Sequence, residues 1–163
     1  MYMLPNQPFT HRQALINMNR TRDMVWLDPK VHRARIRREL KEAGLSSFAL
    51  GQPEAIYLHR LIHPHEHIGA AVFGRHKAGL VMLVATDLRV IFFDKKPFFS
   101  TEDEINFNSV FGVSVGTGGL GATVSLHTRV ADYTIRTYNR RSAANFVTFI
   151  EQSCLENLDT PIT

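Results

Sequence analysis

Two neighbouring apolar runs dominate the hydrophobic pattern: GLVMLVAT at 79–86 and LRVIFFD at 88–94, joined at Thr86-Asp87-Leu88-Arg89. Both are rich in β-branched and aromatic residues and have the length of a strand rather than a helix. They belong to a series of short segments separated by turn signals. The series predicts seven strands, near 67–74, 79–86, 88–94, 98–106, 109–115, 121–128 and 131–138. Alternation is clearest in the last two, where Val124, Leu126 and Thr128 share one face, as do Tyr133, Ile135 and Thr137. From Arg140 to Ser142 the period changes, and Ala143, Phe146, Val147, Ile150 and Cys154 recur at helical spacing. A half-open antiparallel barrel has an end to plug, and this apolar stripe suits the task.

Ahead of the strands the pattern is helical. Asp28-Pro29 supplies an N-cap followed by proline at the first helical position, and Gly44 offers a stop. In the helix between them His32, Ile36, Leu40 and Ala43 fall on one narrow face, with Lys30, Arg33, Arg37, Arg38 and Lys41 spread over another. A second short helix is predicted from Pro53 to Ile62, with Ile56, Leu58, Leu61 and Ile62 available for packing, and His63-Pro64 ends it. Residues 1–27 show no sustained period and read as a flexible segment. The chain thus divides into 1–27, a basic helical extension at 28–62, a strand-rich domain at 63–156 and a tail at 157–163.

Charge sharpens this division. Residues 1–60 hold ten Lys and Arg against five Asp and Glu, whereas residues 61–163 hold nine against ten. The net charge of +4 therefore resides in the N-terminal third, which makes that region the candidate for meeting an acidic partner. No apolar run approaches the ~20 residues of a membrane span, and the N-terminus lacks the compact apolar segment of a signal peptide. Together with a single cysteine, Cys154, read as a small buried hydrophobe, this gives an expected cytoplasmic location.

Several motifs invite a chemical reading and lack its context. His63, His65 and His67 alternate around Glu66, but so short a run strains around a tetrahedral ion and no second Cys or His cluster completes a metal site. Gly116-Thr117-Gly118-Gly119-Leu120-Gly121 satisfies the dinucleotide glycine spacing, yet it leads into the alternating strand ATVSLHT rather than a helix, so a hairpin loop is expected. Glu102, Asp103 and Glu104 read as an exposed acidic turn. No nucleophile and base are set in a catalytic arrangement, and no metal or cofactor is expected. The Thr86-to-Arg89 pattern reads as a structural turn in which the Thr and Asp side chains accept backbone N–H groups and Arg89 returns to Asp87 or a strand-end carbonyl.

Leu83-Val84-Ala85-Thr86-Asp87-Leu88-Arg89, the lead-in LIHPHEHI with Glu66 before the first strand, the acidic Glu102-Asp103-Glu104-Ile105 and Phe146-Val147 in the closing helix together resemble the bacterial pleckstrin-homology (PH)-like domains, particularly the YokE-like group. The resemblance covers about residues 63–156. It implies a mainly β fold: a PH-like seven-stranded antiparallel barrel capped by a C-terminal helix, here with an N-terminal helical extension. Domains of this kind that grip phosphoinositides carry basic residues on the first two strands and the loop between them, and the second strand here has none.

The expected function is a non-enzymatic binding or scaffold protein acting through a protein partner or self-association. The alternative is a peripheral module on an anionic membrane surface. Its candidate residues are Arg75, Lys77, Lys95 and Lys96 in the loops and Arg33, Arg37, Arg38 and Lys41 on the basic helix. The helix has no interleaved aromatics for base stacking, so nucleic acid is not an expected partner.

Overall fold

A computed structural model describes residues 28–77, 79–96 and 100–158, so the flexible segment expected at 1–27 and the end of the tail lie outside the described residues. Helix α1 spans Pro29–Glu42, with the Asp28 side chain accepting the Lys30 N–H at 2.8 Å and the chain turning out at Gly44, φ 95°. A single turn α2, Ser47–Leu50, comes next; the sequence reading has no helix there. The helix expected over 53–62 is instead two short pieces, α3 at Pro53–Tyr57 and a 3-10 turn at Leu58–Arg60. Ile56 points to solvent rather than into the packing.

Seven strands then run in antiparallel order β4-β3-β2-β1-β7-β6-β5: β1 Ile68–His76, β2 Gly79–Thr86, β3 Val90–Lys95, β4 Ser100–Ile105, β5 Val110–Gly118, β6 Gly121–Thr128 and β7 Asp132–Thr137. Helix α4, Arg140–Leu158, closes the fold and carries the chain two residues into the segment expected as tail. The sheet is not closed. β4 and β5 are its two edges, and the strand series curls without a ladder between them.

The apolar runs of β2 and β3 are explained by burial on both faces. On the inner face Val81, Leu83, Ala85, Val90 and Phe92 meet Val124, Leu126 and Ile135 from the other half of the sheet, together with Ala143, Phe146 and Ile150 of α4. On the outer face Met82, Val84, Ile91 and Phe93, with Ala71 and Phe73 of β1, pack under Ile36, Leu40, Ala49, Leu58 and Ile62 of the N-terminal helices. The helical extension is therefore a second layer of the fold. By contrast β6 alternates strictly between buried and half-buried positions, as a strand covered on one side should.

The halves β4–β1 and β7–β5 join through one registered pair, Arg75 with Arg136. Gly74 makes the joint possible: a Cβ there would stand 2.2 Å from the Arg136 carbonyl oxygen and 2.7 Å from Ile135 Cγ2. Gly74→Ala is expected to lower stability by about 1–3 kcal/mol through forced overpacking, measured by urea unfolding. Gly116→Ala, whose Cβ meets nothing nearer than 4.0 Å, should change it by less than about 0.5 kcal/mol.

Candidate functional site

The polar residues that the sequence sets at the start of the first strand form a buried junction between α1, the 61–67 connection and the β2–β3 turn. Glu66 is fully buried, and its two carboxylate oxygens are divided among four donors. Oε1 accepts from Thr86 Oγ1 at 2.8 Å and Arg89 Nε at 2.9 Å; Oε2 accepts from Arg89 Nη2 and the His63 N–H, both at 3.0 Å. Arg89 also donates to the Leu61 carbonyl at 2.8 Å and pairs with Glu104 on β4. Arg89 is thus turned to Glu66 and Glu104 and not to Asp87, correcting the turn-local pairing. Asp87 instead accepts the His67 N–H at 2.9 Å and returns its own N–H to the His67 carbonyl at 3.0 Å.

A second carboxylate extends the junction onto α1. Glu39 accepts from Arg35 Nη1 and the Ile68 N–H, and lies 3.0 Å from His67 Nδ1. Arg35 reaches across to the Glu66 carbonyl oxygen at 2.8 Å, while His32 Nε2 sits between the carbonyls of His59 and Ile62 at 3.0 and 3.1 Å. Sequence reasoning passed over Arg35 and Glu39. The available signal was spacing, since Glu39 lies three residues after Ile36 and next to Leu40, on the stripe that must be buried. The carboxylate oxygens of Glu66 and Glu39 all accept from protein donors, so the chemistry of the junction is that of a clamp that docks α1 and the β2–β3 turn onto β1.

The eight cationic candidates fall into two groups. Arg75 at the end of β1, Lys77 in the β1–β2 turn (φ 50°), and Lys95 and Lys96 at the end of β3 share one end of the half-sheet. Lys95 lies over the Tyr57 ring, 5.2 Å from its centroid. Lys96 Nζ is 2.9 Å from Asp94 Oδ1, an ion pair whose angle falls short of a hydrogen bond. Arg33, Arg37, Arg38 and Lys41 are exposed on α1. Of these Arg33 approaches His59 Nε2 at 3.4 Å, Arg37 donates to the Leu50 carbonyl at 3.1 Å, and Arg38 is 3.8 Å from Glu42 within the helix.

The glycine-rich segment forms the β5–β6 hairpin, with Gly119 at φ 57° and β6 beginning at once. Among the described residues no three His, Cys, Asp or Glu side chains are gathered as a metal ion requires, and the His63–His67 run is drawn into the junction instead. The acidic segment at 102–104 lies within the edge strand β4 rather than in a turn. Cys154 is half-buried rather than buried, packed at the margin of the inner core, and burial pushes its thiol pKa up. Among the described residues no helix is long and apolar enough to cross a membrane.

The family model for the bacterial PH domain matches residues 62–152, which is more than half of the chain. The chain belongs to the bacterial PH domain family. Families of PH type are generally non-catalytic modules. No curated protein matches the chain. Among solved structures, this PH domain is similar to a DUF1696 family protein with a pleckstrin-homology domain from Shewanella loihica PV-4, at 15% identity and a TM-score of 0.40, covering 63% of this chain and 90% of that one. It is also similar to the N-terminally truncated linker-DH/PH domains of p115-RhoGEF, at 17% identity and a TM-score of 0.40. That alignment covers 92% of this chain, which spans 46% of the longer one.

Burial pushes the Glu66 carboxyl of this PH domain upward, but the hydrogen bonds from Arg89, the His63 N–H and Thr86 outweigh it and hold the pKa below the ordinary value. Glu39 behaves likewise: burial raises it, and the Ile68 N–H, His67 and Arg35 together bring it down. Carboxyls depressed in the folded state contribute stability that is complete above their unfolded pKa of about 4.5 and is lost as pH falls through the folded values. Glu66→Ala should therefore lower unfolding free energy at pH 7 by about 3 kcal/mol, through the unpaired Arg89 and orphaned N–H groups, and flatten the loss of stability below pH ~4.5. Asp87→Ala, at an exposed hydrogen bond, should cost about 1 kcal/mol. Urea melts at several pH values check both.

Proposed function

We propose that this bacterial PH domain is a non-enzymatic scaffold that self-associates through the free edge of β5, and that within its family it stands with the YokE-like group, on the strength of Glu66 and the Leu83-to-Arg89 segment. One observation supports the self-association above others: the contrast between the two edges of the sheet. β4 reads STEDEI, with Glu102, Asp103 and Glu104 in a row, and so is charged against pairing with another strand. β5 reads VFGVSVGTG over nine residues, without a charged residue or a proline.

Paired on one side only among the described residues, a strand of that length and composition offers a row of N–H and C=O groups to an incoming strand. A second copy suits it. The chain carries +4 overall, but a seam between two β5 strands places no charge opposite its like. Antiparallel pairing of a strand with itself is also a two-fold, closed contact, the commonest symmetry of soluble oligomers. Phe111, 71% exposed at the start of β5, and the exposed Val115 would gain cover in such a contact.

The membrane reading has thinner support. Its α1 cations are exposed, but Lys95, Lys96 and Arg37 are held by Tyr57, Asp94 and the Leu50 carbonyl, and β2 presents no basic residue. Its outer face lies beneath the N-terminal helices.

Light scattering after size exclusion, over a range of protein concentrations, should show a concentration-dependent dimer. Phe111→Lys combined with Val115→Lys should be a monomer throughout, with folding stability changed by less than about 1 kcal/mol because both side chains are exposed. A wild-type protein that stays monomeric, or a double variant that associates as the wild type does, would overturn the reading.

A further inference from the structure

Where the two halves of the sheet join, the outer face steps from a covered surface to an open one. The N-terminal helices roof β1–β3, whereas among the described residues no second layer packs on the outer face of β5–β7. At the step lies a groove of about 1130 Å³, bounded by α2, the ends of β1 and β2, the β5–β6 hairpin and the end of β7. Its lining includes Phe48, Leu80, Leu120 and Tyr138, respectively 66%, 39%, 87% and 87% exposed, around Arg75 and Arg136.

The arginines are the unusual element. They are directly opposed across the β1–β7 pairing, and both are exposed. Residues so placed have Cβ atoms about 5 Å apart, and like charges there are destabilising. Among the described residues neither guanidinium has a carboxylate partner, and no Asp or Glu lines the groove. The groove is also held in shape. Asn139 Nδ2 ties the end of β7 to the Gly44 carbonyl at 2.7 Å, and Arg140 Nη2 holds the hairpin by the Gly119 carbonyl.

We infer that the groove is a docking site for an acidic peptide segment of a partner protein, one whose carboxylates bridge Arg75 and Arg136 and whose apolar side chain lies against Phe48, Leu80 and Leu120. The argument is charge complementarity. Two adjacent guanidinium groups without counter-ions recognise carboxylates in bidentate fashion, and the apolar margins add an anchor. A bilayer surface fits less well: both arginines rise from paired strands between two walls rather than from a projecting loop, and no lysine lines the groove. Strand pairing at the β5 edge would leave this sheet face open, so the two proposals stand or fall separately.

The probe is a short fluorescein-labelled peptide of aspartate and glutamate around a central phenylalanine, with a counterpart carrying lysine in place of every acid. Anisotropy titration of the full chain should show binding of the acidic peptide alone. Arg75→Ser combined with Arg136→Ser should weaken that binding by about tenfold or more. Amide resonances at residues 75, 80, 120, 136 and 138 should move on titration in the wild type. With no peptide present, Arg136→Ser should melt higher than the wild type at low salt, because it relieves the opposed charges, and added sulfate should narrow the gap. No binding of the acidic peptide, equal binding of the lysine peptide, or undiminished affinity in the double variant would each overturn the inference. So would binding to phosphatidylserine vesicles that needs both arginines when the peptide does not bind, an outcome that would assign the pair to a membrane.

Discussion

A half-sheet that is apolar on both faces must be covered twice, and most of this architecture stems from that requirement. β2 and β3 have almost no polar side chain with which to face water over Val81–Ala85 and Val90–Phe93. The inner face is covered by the return half of the sheet and by α4. The outer face is covered by a chain of short helices with little helical length of their own: α2 has four residues and α3 has five. Segments that short are not stable in isolation and hold their shape only through packing. The junction of Glu39, Glu66, Arg35 and Arg89 fixes the cover in register, because it joins α1 and the β2–β3 turn to the first residues of β1 through buried, directional bonds.

Much of this was legible in the residues, and the limits have physical causes. Strand positions were readable because β-branched and aromatic runs end at turn residues, and α1 because Asp28-Pro29 and Gly44 punctuate it. The continuous apolar run GLVMLVAT was readable as a strand, but not that a second layer covers its outer face, because the stripe on α1 is narrow and Ser47–Leu50 is too short to show a period. The Glu66–Arg89 pair spans 23 positions and the Arg75–Arg136 pair 61, so neither can be read without strand order and register. The sequence did carry Arg75 as a candidate, but among loop lysines; its true neighbour comes from the opposite half of the sheet.

The two halves also differ in how they meet solvent. The β4 edge is lined with carboxylates, one of which is drawn to Arg89, so charge there serves both to blunt an edge and to complete a buried network. At the β5 edge and the adjacent groove the reverse holds, with neutral backbone beside two arginines that have no carboxylate partner among the described residues. Among the described residues, structural demand is satisfied internally at one end of the molecule and left open at the other.

The layered cover bears on where this protein can be cut. The family match begins at residue 62, after the helices that roof the outer face. A fragment trimmed to that boundary would keep all seven strands and α4 yet lay bare Ala71, Phe73, Met82, Val84, Ile91 and Phe93 as one continuous oily surface, and would lose Glu39 from the junction. The limit of the recognisable family module is thus not the limit of the folding unit, whose outer layer reaches back through α1 to Pro29.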